Sequence, residues 1–220
     1  MALPINRATL TIVKTIGVLF ALGGMNHGLF EILQGNVSTG DVLIAAIGEK
    51  QRMWVHGEEG AFTLLPTFLA SGIATWVIGI SIVIWSLKYL DTRHGPRVYL
   101  ILFILLFLTG GGVAQVLFFS VAYAAATQIR KPLVFWRRMI SAPLRRRIAS
   151  SWKGLLIFTV LIGLFNLWVA TTGWVPGLAN DDQVLSLMLV TLGIWYLCFL
   201  FTFIAGFAAD IEHTTAATDS

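Results

Sequence analysis

Residues 98–127, VYLILFILLFLTGGGVAQVLFFSVAYAAAT, decide how this chain is threaded. The stretch carries no charged side chain and is interrupted by Gly110, Gly111 and Gly112. Each glycine costs a helix roughly 1 kcal/mol relative to alanine. The three divide the block into pieces of about 12 and 15 residues, whereas crossing ~30 Å of hydrocarbon takes about 20. The block is therefore either one long tilted helix or a hairpin that turns at the glycines.

Charge separates these alternatives. Two basic residues, Arg7 and Lys14, lie near the N-terminus, and three, Lys88, Arg93 and Arg97, just before the block. Eight follow it: Arg130, Lys131, Arg137, Arg138, Arg145, Arg146, Arg147 and Lys153. A single crossing divides these groups between the two faces of a membrane. A hairpin gathers thirteen of the fifteen Lys and Arg residues on one side, the side expected to be the cytoplasm. The hairpin is therefore the expected path, tolerable in a bilayer where other helices cover its turn.

Outward from this block the rest is similarly apolar. Hydrophobic residues make up 57% of the 220 and charged ones 12%, about half the charge of a soluble protein. Apolar runs at 8–33, 61–87, 154–175 and 184–208 flank the pieces 98–109 and 113–127. The expected fold class is all-α, a polytopic transmembrane helical bundle with six membrane helices in one domain. Alternating ten-residue segments that would suggest a barrel are absent. The run at 8–33 follows Arg7 as a signal peptide would, but it is too long for an ordinary one and reads as the first membrane helix. Residues 36–59 form an outer link, with a short interfacial helix expected at 41–54. Residues 128–153 form a basic segment lying on the cytoplasmic leaflet, broken by Pro132 and Pro143.

The expected location is a cell inner membrane, multi-pass, with both termini cytoplasmic. Asp41, Glu49, Glu58, Glu59, Asp181 and Asp182 then face outward. Trp85, Tyr89, Tyr99, Trp136 and Trp152 mark the inner interface, and Trp54 and Trp174 the outer. The formal charge of +4 is topogenic, so nucleic acid is not an expected partner. The lipid bilayer is, with a homo-oligomer or membrane complex as the assembly that so small a transporter needs. Cys198 is the only cysteine, which excludes an internal disulfide and a thiolate cluster. The tail after Asp210 is short and polar, and is expected to fray.

Polar groups inside apolar spans need a reason. His27, Glu31 and Gln34 follow one another at i, i+4 and i+7. At about 100° per residue they share one helix face within roughly 60°. Gly23 continues the stripe and Asn26 flanks it. A second group lies in WVHGEEGAFT at 54–63, ahead of Pro66, which is expected to bend the second membrane helix. Both groups lie at one depth on one side. His27, Glu31, Gln34 and Glu59 are thus candidate binding residues, and His27, Glu31, His56 and Glu59 candidate metal ligands. Two imidazoles with two carboxylates suit zinc, iron or manganese, and the same groups suit proton relay. Haem held by His27 and His56 is disfavoured because no attachment motif is present. The alternative is structural: His27 bonded to Glu31 one turn away. Gln115 and Asn166 are read as partners for the broken backbone of the hairpin or for each other. No HExxH, Walker, dinucleotide or GxSxG signature occurs, so no catalytic residue is assigned and the cofactor is left open.

Trp54, the run Glu59-Gly60-Ala61-Phe62-Thr63-Leu64-Leu65-Pro66, Gly72 and the triple glycine resemble a family of uncharacterised bacterial multi-pass inner-membrane proteins. The resemblance spans residues 54–130 and implies location and fold, not activity. Three functions follow from the residues. The chain is a small-molecule, ion or proton binding or transport module with a polar outer-leaflet site. Alternatively it is a membrane-embedded metalloenzyme acting on a lipid or quinone, or a scaffold or accessory subunit without chemistry of its own.

Overall fold

The computed structural model describes residues 5–113 and 115–218. Among these, eight helices and two short strands follow in the order α1 (Arg7–Gln34), β1 (Leu43–Ile47), β2 (Glu59–Phe62), α2 (Phe68–Lys88), α3 (Gly95–Leu108), α4 (Gln115–Ala126), α5 (Val134–Met139), α6 (Ala142–Ala149), α7 (Trp152–Thr172) and α8 (Asp181–Thr218). The described residues are 69% helical. Four helices, α1, α2, α7 and α8, are long and apolar enough to cross a membrane, as expected of a membrane protein.

The bundle is built around α1. Within its most apolar stretch 56% of the residues are buried, against 17–28% for the other three long helices. The helix α2 beside it is inverted relative to one of a soluble protein. On α2 the inward positions are Ser71, Gly72, Thr75, Gly79, Ile82 and Ser86. Its outward positions include Ile73, Val77, Ile80 and Ile84. Small residues let backbones approach, while bulky apolar ones suit a hydrocarbon solvent. At the α1–α2 crossing a Cβ on Gly28 would press on the Gly72 carbonyl, and one on Gly72 would strike the Gly28 carbonyl.

The glycine block reverses direction. Tyr99 of α3 rests on Gly17, Leu106 on Gly24, and Gly110 reaches Glu31, so α3 rises along α1. Gln115 of α4 then lies beside Gly23. Beyond α4, the Ile129 carbonyl accepts the Asn6 N–H at 2.8 Å, back at the start of α1. The turn uses Gly110 at φ 114° and Gly112 at φ 92°, backbone that favours glycine. The basic segments consequently meet at one end. Asn6 Nδ2 donates to the carbonyls of Gln128 and Lys131, Lys14 Nζ to that of Leu87, and Arg130 Nε to that of Asp91. Arg145 and Glu212 form a 2.5 Å ion pair there.

Six expectations are corrected. The fold is not wholly helical: β1 and β2 pair antiparallel in a two-stranded sheet. The interfacial helix at 41–54 is absent, because Leu43–Ile47 extends to pair with Glu59–Phe62. The second long helix starts at Phe68 rather than 61, because residues 59–62 are in the sheet. Pro66 accordingly precedes that helix, which is capped by Thr67 accepting the Ala70 N–H, and bends nothing. Tyr99 is fully buried in the core rather than at an interface. The C-terminal residues past Asp210 continue α8 to Thr218. In the basic segment the prolines act as expected: α5 and α6 are separate, with Pro143 in the first turn of α6.

Candidate functional site

The site sits at the end of the bundle opposite the basic segments, under the β1–β2 hairpin. His27 is on the inward face of α1 and is buried. Its neighbour Glu59 comes from β2, placed by a chain of local contacts. Gln34, in the last turn of α1, donates from Nε2 to the carbonyls of Ala45 (2.9 Å) and Ala46 (2.8 Å). These lie at the irregularity between Ala45 and Ile47, after which Ile47 pairs with Glu59. The sheet thereby carries the Glu59 carboxylate to 2.6 Å from His27 Nε2. Gly112 lies against the imidazole from the turn of the glycine block.

Burial pushes the Glu59 carboxyl up, but the hydrogen bond and charge of His27 outweigh it and leave the group below its ordinary value. A short charge-assisted pair at the edge of an apolar interior is thus fixed in place.

Beside the pair lies a cavity of about 670 Å³ between α1, α4, α7 and α8, roofed by residues 58–60. Leu19, Phe20, Phe118, Met188, Leu192 and Trp195 supply most of its wall. His27, Glu58, Glu59, Gln115 and Asn166 are its polar points. Asn166 is held by Ile162 and Thr191. Three wall atoms, His27 Nδ1, Gln115 Oε1 and Trp195 Nε1, are buried with no hydrogen-bond partner among the described residues. An apolar chamber with a few polar points is the usual form of a small-molecule site.

Of the candidate residues, His27 and Glu59 come together, and Gln34 acts as the prop that positions Glu59. Glu31 turns away, with its carboxyl packed on Gly110; the expected His27–Glu31 bond is not formed. His56 goes elsewhere, with Nε2 3.1 Å from Asp182 and the ring edge-on to Trp54. Trp54 in turn donates to the Ala170 carbonyl, pinning this loop onto α7. The four proposed metal ligands are therefore dispersed. Among the described residues no three His, Cys, Asp or Glu side chains are gathered for a metal. Gln115 and Asn166, read as supports for the hairpin, face the cavity instead. Trp195 was not singled out by sequence. Its signal was an indole at mid-span, away from either interface, where its N–H needs a partner.

The chain matches no protein-family model, no curated protein and no solved structure.

Proposed function

We propose that this chain is a multi-pass inner-membrane protein that binds an amphipathic small molecule, a lipid- or quinone-like compound, in the cavity beside His27 and Glu59. The observation that carries this reading is the chamber itself. Its wall is mainly hydrocarbon, and its polar points cluster near the His27–Glu59 pair and on Asn166, so an apolar body lies among Phe20, Phe118 and Leu192 while a polar head meets His27. The unpaired His27 Nδ1 and Trp195 Nε1 are the groups a bound head would satisfy. In this placement α3 and α4 complete a set of six membrane-embedded helices, the basic end and both termini face the cytoplasm, and the hairpin lies on the outer side. The likeness of residues 54–130 to bacterial multi-pass proteins favours the same location.

A scaffold role fits less well, because it leaves a large chamber and its orphaned polar atoms without purpose. The metalloenzyme reading is also weaker: His27 and Glu59 offer two ligands, where zinc takes three or four protein ligands.

The test is extraction of the protein purified in mild detergent, followed by mass spectrometry and by titration with a short-chain quinone and a lysophospholipid. Saturable binding is expected, reduced at least tenfold by Ala170→Phe, which fills the chamber, and retained in Ile73→Ala on the exposed face of α2. Absence of any co-purified amphiphile together with no saturable binding contradicts the proposal.

A further inference from the structure

A second polar site lies one helical turn along α1 from His27, and it does not depend on the cavity ligand. Glu31 is completely buried. Neither of its carboxyl oxygens makes a hydrogen bond of full geometry among the described residues, where Ser71 is the hydroxyl that faces the carboxyl, and no Lys, Arg or His there forms an ion pair with it. His27, the basic group on the same face, is committed to Glu59. A desolvated carboxyl in this condition lacks its counter-charge.

The surrounding fields add to the need. Glu31 is in the last turn of α1, and α3 ends beside it at Thr109; both helices present their negative ends here. The positive end of α2 is close, but its first-turn N–H groups are taken. Phe68 donates to Val37, Leu69 to Gly35, and Ala70 and Ser71 to Thr67.

What the site does supply is neutral oxygen. Thr63, Ser71 and Thr75 are all buried. Ser71 Oγ lies 2.7 Å from the Thr109 carbonyl and 2.9 Å from Thr63 Oγ1, and Thr75 Oγ1 donates to the same carbonyl. A hydroxyl has one proton and two lone pairs. Ser71 and Thr75 spend their protons on other oxygens and keep lone pairs free. One carboxylate with buried hydroxyls that keep lone pairs free forms the ligand chemistry of a hard cation. A single carboxylate balances a single charge.

We propose that Glu31, with the Ser71 and Thr75 hydroxyls, forms a sodium site at the glycine break. The ion clamps α1 to α2, and the same two hydroxyls carry that hold to the turn of the α3–α4 hairpin through the Thr109 carbonyl.

The test is thermal unfolding of the full-length protein in detergent, in NaCl against choline chloride at constant ionic strength and pH. Sodium at about a hundredfold excess over its dissociation constant should raise Tm by roughly 5–10 °C, with no effect of choline. Glu31→Gln should fold and lose the response. If that variant fails to fold, Thr75→Val serves in its place, and should move the sodium midpoint about tenfold higher. The proposal is overturned by equal Tm values in the two salts, by a sodium response that survives in Glu31→Gln, or by an unshifted midpoint in Thr75→Val. Stabilisation by acid with no response to sodium also overturns it, since the carboxyl then holds a proton instead.

Discussion

The His27–Glu59 contact illustrates how a residue acquires properties that its own sequence neighbourhood does not give it. Because the Glu59 carboxyl is held below its ordinary value of 4.5, folding favours its ionised form. The stabilisation is complete above that value and is lost as pH falls through the lower, folded-state value. Wild-type Tm should therefore decline on acidification below about pH 4.5 more steeply than that of Glu59→Gln, and the difference between the two curves isolates this pair. At neutral pH the substitution should cost about 1.5–3 kcal/mol, the range for a hydrogen bond to a charged group, measured by denaturant unfolding. Sequence identified both residues through the expense of polar groups beside apolar spans. It grouped His27 with Glu59 among the candidates, but its structural alternative bonded His27 to Glu31, because helical spacing is the only geometry a linear reading supplies there. The true partner arrives through the bulge in β1 and the grip of Gln34 on it, neither of which leaves a periodic trace.

At the scale of elements, the glycine turn was legible because charge bookkeeping on either side of it admitted one economical path. Its fine structure was not. Gly110 must combine a φ of 114° with close packing on the Glu31 carboxyl, so Gly110→Ala adds backbone strain to a collision. That variant is expected to be lost as a folded, monodisperse species in size-exclusion chromatography, whereas Gly154→Ala, with open space at its Cβ, should behave as wild type. The link before α2 was misread for the opposite reason. Residues 41–54 mix apolar and charged groups in a way that fits a helix locally, and the strand forms only because residues 59–62 lie ready to pair with it. Asp210 is a further case beyond the reach of local pattern. Its carboxylate accepts the N–H groups of Ala8 and Thr9 and the Thr9 hydroxyl at 2.7–2.9 Å, capping α1 from a position 201 residues away from Thr9. Asp210→Ala should cost about 1–2 kcal/mol, as the loss of a helix cap does, and should loosen the junction of α1 and α8 in hydrogen exchange.

For the whole molecule, the two ends differ in charge and the flanks are hydrocarbon, and the proposed orientation rests on both. The exposed faces of α2, α7 and α8 carry Ile73, Val77, Leu161, Leu164, Val190 and Leu197, a surface that water does not tolerate over such an area. At about 1.5 Å per residue α8 measures roughly 57 Å, well beyond a ~30 Å core. In the proposed placement its far end projects into the aqueous phase, where Glu212 meets Arg145 and Arg146. The placement of Arg93 and Arg146 on one side, and of Asp41 and Asp181 on the other, is a direct consequence of the reversal at residues 110–112. With Cys198 replaced by serine, single cysteines at these four positions separate the alternatives in intact cells. A membrane-impermeant maleimide should modify Asp41→Cys and Asp181→Cys at once, and Arg93→Cys and Arg146→Cys only after the membrane is opened. Were the block to cross only once, Arg93→Cys and Arg146→Cys would differ from each other, because the chain between them would then change sides. Equal protection of those two positions, with both outer positions exposed, is the pattern that the hairpin and the positive-inside bias jointly require.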